Sequence, residues 1–192
     1  MSKEIKEIVI LSDCSKDYKV GLEVYKAFTK DTNFEGSREI HPMKEVKIKE
    51  NDFKIHFFAI QDSYWPAISN ICRHCEGAVF AIDMENYTEE GGAEFIKEWL
   101  VNLEDLDKED MKTVIIGVTQ SESPVNSQGL DEINKISREK KIDYFELNIK
   151  KDQKGITDAF EKLAKLMVGD FDAAKKKEDD GFDEYLDKYK NF

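Results

Sequence analysis

The chain has 192 residues, 40% of them hydrophobic and 36% charged, which suits one globular domain with a sizeable core and a heavily charged surface. A net charge of −12 argues against nucleic acid or an anionic membrane as the main partner and suits basic protein surfaces or plain solubility. No apolar run approaches the roughly 20 residues of a membrane span, Met1 to Glu4 leads straight into a strand pattern without a signal peptide, the last residues carry no cysteine for a prenyl group, and three cysteines suggest reduced thiols; a cytoplasmic protein is expected.

Strand and helix patterns alternate along the chain. A first strand is expected over residues 5–11, followed by the loop Ser12-Asp13-Cys14-Ser15-Lys16-Asp17-Tyr18-Lys19. A helix is expected over about 18–30, with Val20, Val24 and Phe28 on one face. A polar loop with Gly36 and Pro42 leads to two strand-like runs, 45–49 and 53–60, separated by Asn51-Asp52 and read as an antiparallel hairpin. Val46 and Ile48 alternate with charges, as on a half-exposed edge strand, whereas residues 57–60 read as more fully buried. An aromatic loop, 61–65, precedes a short helix over 66–73 with Pro66 in its first turn. Residues 77–83 (GAVFAID) and 112–118 (KTVIIGV) are continuous apolar strands of the kind found deep in a parallel sheet. Between and after them come helices over about 89–103 (Phe95, Trp99, Leu103), 130–140 (Leu130, Ile133, Ile136) and 156–168 (Ile156, Phe160, Leu163, Met167), with a last strand over 143–147.

This order, β-α-β-β-α-β-α-β-α-β-α, predicts an α/β fold: a six-stranded, mostly parallel sheet with one antiparallel hairpin strand and about five helices on its two faces. The folded unit is expected over residues 1–168 and a charged tail over 169–192. In that tail Phe182, Tyr185, Leu186 and Tyr189 fall at i, i+3, i+4 and i+7, one apolar helical face that either folds back on its own domain or binds a partner.

The element order, hairpin included, resembles the Ras-like small GTPases, and their Rab branch in particular, over about residues 4–168. Asp62 stands after the third strand, where the family's D-x-x-G begins; GAVFAID looks like the family's fourth strand; residues 95–100 (FIKEWL) resemble a stretch of Rab helix 3; and 146–150 (ELNIK) stand where Rabs have E-T-S-A-K. The likeness implies a P-loop-NTPase-type fold. The nucleotide motifs themselves depart from the family pattern. A P-loop reads G-x-x-x-x-G-K-[ST], because glycines let backbone N–H groups wrap phosphates. The loop at 12–19 has no glycine, and Asp13 and Asp17 would stand against a phosphate with a repulsion of roughly 4 kcal/mol per unit pair at 4 Å. Trp65 replaces the D-x-x-G glycine, and Thr119-Gln120-Ser121-Glu122 stands in for N-K-x-D.

A Rab-like fold without that machinery resembles a pseudo-GTPase, and is similar to the alpha- and gamma-adaptin-binding protein family in its first loop, its charged hairpin and its missing N-K-x-D. The resemblance implies a non-catalytic module with no cofactor, an adaptin subunit as partner, and a role in clathrin adaptor assembly or vesicle trafficking. Tyr64 and Trp65, at the switch-II position, and Phe182, Tyr185 and Tyr189 in the tail are the expected partner contacts; the two loop aromatics alternatively pack on the third helix. The runner-up is a divergent GTPase holding GTP or GDP with magnesium weakly through Ser15, Lys16, Lys19, Asp62, Glu122, Asn148 and Lys150. A flavodoxin-like enzyme is disfavoured by the hairpin. Cys72-Arg73-His74-Cys75 has C-x-x-C spacing, but Cys14, His41 and His56 are scattered singly and supply no second ligand pair, so the cysteines read as packing rather than as a metal or redox site.

Overall fold

The computed structural model of the chain describes residues 5–13, 19–31, 42–60, 65–121 and 127–169. Its elements are β1 (Lys6–Asp13), α1 (Lys19–Thr29), β2 (Met43–Ile48), β3 (Asn51–Ile60), α2 (Trp65–His74), β4 (Gly77–Asp83), a π-helical turn (Glu90–Glu94), α3 (Phe95–Asp105), β5 (Lys112–Thr119), α4 (Ser127–Lys140), β6 (Asp143–Asn148) and α5 (Gln153–Val168). The strands form one six-stranded sheet in the order β2-β3-β1-β4-β5-β6. Every neighbouring pair is parallel except β2 with β3. The arrangement is consistent with a Rossmann- or P-loop-like fold.

Period-2 alternation sorts the strand residues between two cores. Ile8 and Ile10 of β1, Val79 and Ala81 of β4, and Val114 and Ile116 of β5 face α1 and α5, meeting Val24, Ile156, Phe160 and Leu163. Val9 and Leu11, Phe80 and Ile82, and Ile115 face the other way, onto Ile68 of α2, Ile96 and Trp99 of α3 and Ile133 of α4. Burial on both faces is why β4 reads as a continuous apolar run. Phe28 of α1 stacks on Phe160 of α5 with ring centroids 3.7 Å apart, and Phe80 meets Phe95 edge-on at 6.2 Å. Of the helical stripes expected from spacing, Val20 and Val24, Phe95, Trp99 and Leu103, Ile133 and Ile136, and Ile156, Phe160 and Leu163 are buried, while Phe28, Leu130 and Met167 are partly buried against the same cores.

Several boundaries move. Ser12 and Asp13 belong to β1 and Lys19 opens α1, because β1 stays paired with β3 as far as Asp13 opposite Ile60. The hairpin turn is Lys49-Glu50, not Asn51-Asp52: Ile48 pairs with Asn51, and Lys49 takes the left-handed conformation (φ 54°) that a two-residue hairpin turn calls for. Trp65, expected in a loop, is the first residue of α2. The helix expected over 89–103 divides into the π-helical turn and α3, which continues to Asp105. α4 and α5 begin one turn earlier than their apolar periods; at α5 the Asp152 carboxylate accepts from the Gly155 N–H at 2.8 Å and caps the helix. Among the described residues no helix is long and apolar enough to cross a membrane.

Candidate functional site

In an open parallel sheet, ligands gather outside the carboxyl ends of the strands, where the strand order reverses. Here β1 has β3 on one side and β4 on the other, so the reversal lies at the carboxyl end of β1. α1 packs hard against that end. A Cβ on Gly21 would stand 2.6 Å from the Ser12 Cβ and 2.7 Å from the Phe57 ring, so only glycine lets the first turn of the helix come this close.

The polar groups gathered at this edge bind one another. The Asp83 carboxylate, at the end of β4, accepts from the Glu85 N–H at 2.9 Å, the Asn86 N–H at 3.0 Å and the Asn86 side-chain amide at 3.0 Å. Glu85 then reaches across to the end of β5, where its Oε1 accepts from the Gln120 N–H at 2.7 Å and from the Ser121 N–H. The bonds from Ser121 are the main reason the Glu85 carboxyl is held below the usual carboxylate range, with Lys150 adding a favourable charge. Asn148, at the end of β6, donates its side-chain amide to the Ser121 carbonyl at 2.8 Å and accepts from the Lys150 N–H at 3.2 Å through Oδ1. Ser121 is thus gripped by Glu85 through its N–H and by Asn148 through its carbonyl.

The chain between β4 and α3 is braced by one aromatic ring. Tyr87 lies against Gly92 of the π-helical turn and Gly129 of α4, and a Cβ at either glycine would overlap ring atoms. Its hydroxyl donates to Glu132 at 2.6 Å and accepts from the Ala93 N–H at 3.2 Å. Burial, with the Glu132 bond second, raises the phenol pKa, and the same bond holds the Glu132 carboxyl low.

Of the residues expected to hold a nucleotide, Asn148 and Lys150 stand together at the β6 end, joined by the bond just described. Lys19 starts α1, beside the end of β1, and its side chain lies outside the description. Ser15, Lys16, Asp62 and Glu122 lie outside the described residues, as do Tyr64, Phe182, Tyr185 and Tyr189 among the partner contacts. Trp65 is placed by its backbone alone. Glu85 was missed from the sequence: a glutamate two residues past a strand carries no motif, and only the neighbouring of β4 and β5 brings it to Gln120 and Ser121. Cys72 and Cys75 are free and buried in the α2-side core, and His74 between them is exposed.

Neither the known protein-family models nor the curated protein sequences contain a match to this chain.

Proposed function

We propose that the chain is a Rab-like pseudo-GTPase: a Ras/Rab-type domain over residues 1–168 that has given up nucleotide chemistry and serves as a cytoplasmic protein-binding module. The observation that carries the reading is the closed edge at β5 and β6. In the resembled GTPases the loops after these strands read guanine. Here the Gln120 and Ser121 N–H groups are taken by Glu85, and the Lys150 N–H by Asn148. A base entering this edge would have to break bonds to a carboxylate, which are stronger than neutral ones. The glycine-free loop at 12–19 supports the same reading, since it lacks the backbone freedom a phosphate cradle needs.

The partner class we propose is an adaptin subunit of a clathrin adaptor complex, with the chain assisting adaptor assembly or vesicle trafficking and needing no cofactor. Tyr64 and Trp65, at the position of the resembled family's switch II, and the tail stripe Phe182, Tyr185 and Tyr189 are the proposed contacts. Two measurements test this. The purified full-length chain, denatured and analysed for released small molecules, is expected to carry no guanine nucleotide; stoichiometric GDP or GTP sinks the pseudo-GTPase reading in favour of a divergent GTPase using magnesium. Capture of purified adaptin subunits is expected with the wild-type chain and weakened by Trp65→Ala. Absence of capture removes the partner assignment and leaves the pseudo-GTPase reading standing.

A further inference from the structure

The amino edge of the sheet holds a second polar cluster, remote from the strand ends discussed so far. Glu7 and His56 lie on the α2-facing side of β1 and β3, on the same face as Val9, Leu11 and Phe58. Their positions are diagonal, since Glu7 pairs with Lys54 and Val9 with His56. Cys75, between α2 and β4, is brought over them because the Glu76 N–H donates to the Glu7 carbonyl at 3.0 Å. A carboxylate oxygen of Glu7, an imidazole nitrogen of His56 and the Cys75 sulfur all lie within 4.8 Å of one another. These residues are 68 positions apart at the extremes of the cluster (75 − 7), so no local motif announces them.

We propose that Glu7, His56 and Cys75 bind one divalent cation of the zinc class, with water in the fourth position. Carboxylate, imidazole and thiolate are the donor types zinc takes. Tetrahedral zinc sets neighbouring O and N donors about 3.3 Å apart, and sulfur about 3.6 Å from either. The Glu7–His56 contact, 3.0 Å between Oε2 and Nε2, is already near that spacing, so the metal takes the place of the shared proton, which passes to Nδ1 of the same ring or to solvent, and the sulfur closes by about 1 Å. Lys54 holds the other Glu7 oxygen at 3.2 Å and fixes the carboxylate, and the Glu76 carboxylate accepts from the Glu7 N–H at 2.9 Å. The Glu7 side chain is 24% exposed, so the cluster meets solvent through its carboxylate, and a cavity of about 210 Å³ lined by Lys6, Cys75, Glu76, Lys108 and Asp110, among others, lies beside Cys75.

A Cys–His–Glu trio also suggests a nucleophile, but Cys75 has no exposed surface and no substrate carbonyl reaches it. Burial pushes its thiol pKa up, opposite to what an activated nucleophile needs. A small cation, by contrast, needs only the donor atoms, and the partly exposed Glu7 side leaves room for the water in the fourth position. Binding sends the Cys75 proton to solvent, so affinity rises with pH. The bound ion joins β1, β3 and the α2–β4 corner at the end of the sheet opposite Glu85.

Cobalt titration of the metal-free full-length chain tests the site. One equivalent is expected to give a near-ultraviolet thiolate-to-cobalt charge-transfer band that zinc abolishes. Zinc at a hundredfold excess over its dissociation constant is expected to raise the melting temperature by about 5–10 °C. His56→Asn should weaken binding roughly tenfold or more, and Cys75→Ser should remove the band. The double variant Cys14→Ser, Cys72→Ala should keep it, which decides the matter even if Cys75→Ser does not fold. The proposal is overturned if the wild-type chain shows neither band nor thermal shift, if the band survives Cys75→Ser, or if it disappears in the double variant.

Discussion

The two ends of this sheet handle a carboxylate in opposite ways. At the carboxyl edge Glu85, in a loop, accepts from the backbone N–H groups of Gln120 and Ser121 and so holds two loops together. At the amino edge Glu7, in a strand, binds the side chains of Lys54 and His56. The first edge is wet, with Ser121 exposed; the second runs under α2 into a core where Cys72 and Cys75 have no exposed surface. The same residue type therefore closes a loop edge in one place and presents a ligand in the other. The difference comes from whether its neighbours are main-chain donors, which it can only satisfy, or side chains, which can exchange a proton for something else.

The largest effect expected from this contrast is in thiol chemistry. In metal-free protein at pH 8, Cys72 should alkylate at least about a thousandfold more slowly than in the urea-unfolded chain, because the reagent must wait for opening. Burial pushes the Cys72 thiol up to about 12 from 9.0. The folded state therefore keeps a proton that the unfolded state loses, and its contribution to stability is complete below about pH 9 and lost as pH rises toward 12. Rapid labelling of Cys72 in native protein would show that the amino edge is not sealed.

Next in size, Gly129→Val should cost about 2–3 kcal/mol in chemical denaturation, since the new side chain drives into the Tyr87 ring. A neutral result would mean that Tyr87 does not brace the carboxyl edge. Glu85→Ala should cost about 1 kcal/mol by removing the acceptor for two backbone N–H groups. Because the folded Glu85 carboxyl is lowered from 4.5, its stabilisation is present above that value and lost as pH falls below it. The wild-type chain should therefore lose more stability between about pH 5 and pH 3 than the variant does, and parallel acid profiles would remove Glu85 from the account. The smallest effect carries the opposite sign. Lys141, the residue that follows α4 just before the amino edge, sits at φ 57°, and Lys141→Gly should raise stability by about 0.5 kcal/mol. A loss of stability there would mean that the lysine side chain contributes more than its backbone strain costs.

The comparison also separates what each kind of information supplied. Apolar patterns, alternating in β2 and continuous in β4 and β5, placed all six strands, and the stripes Phe95-Trp99-Leu103 and Ile156-Phe160-Leu163 face the core as their spacing predicts. Ends were less legible. Asn51-Asp52 has turn chemistry yet lies in β3, and Lys49 adopts the left-handed turn conformation instead. Pairing with β2 and β1 along the strand outweighs local preference there. At the carboxyl edge, Asn148 and Lys150 were readable from their place after a strand, but the bond between them and the grip on Ser121 were not. Glu7 and His56 stood in the sequence as an ordinary strand glutamate and a lone histidine.

By itself the sequence determined the alternation of strands and helices, the apolar faces, the hairpin near the start and the absence of a glycine-rich phosphate loop, because each depends on residues close together in the chain. Tertiary structure decided which strands lie side by side, and with that both polar clusters. β1 between β3 and β4 brings Glu7, His56 and Cys75 together, and β4 beside β5 brings Glu85 to Gln120 and Ser121. The physical reason is that a parallel sheet joins strands through long crossovers, so the groups that meet at its ends are distant in sequence and carry no spacing that a linear pattern could report.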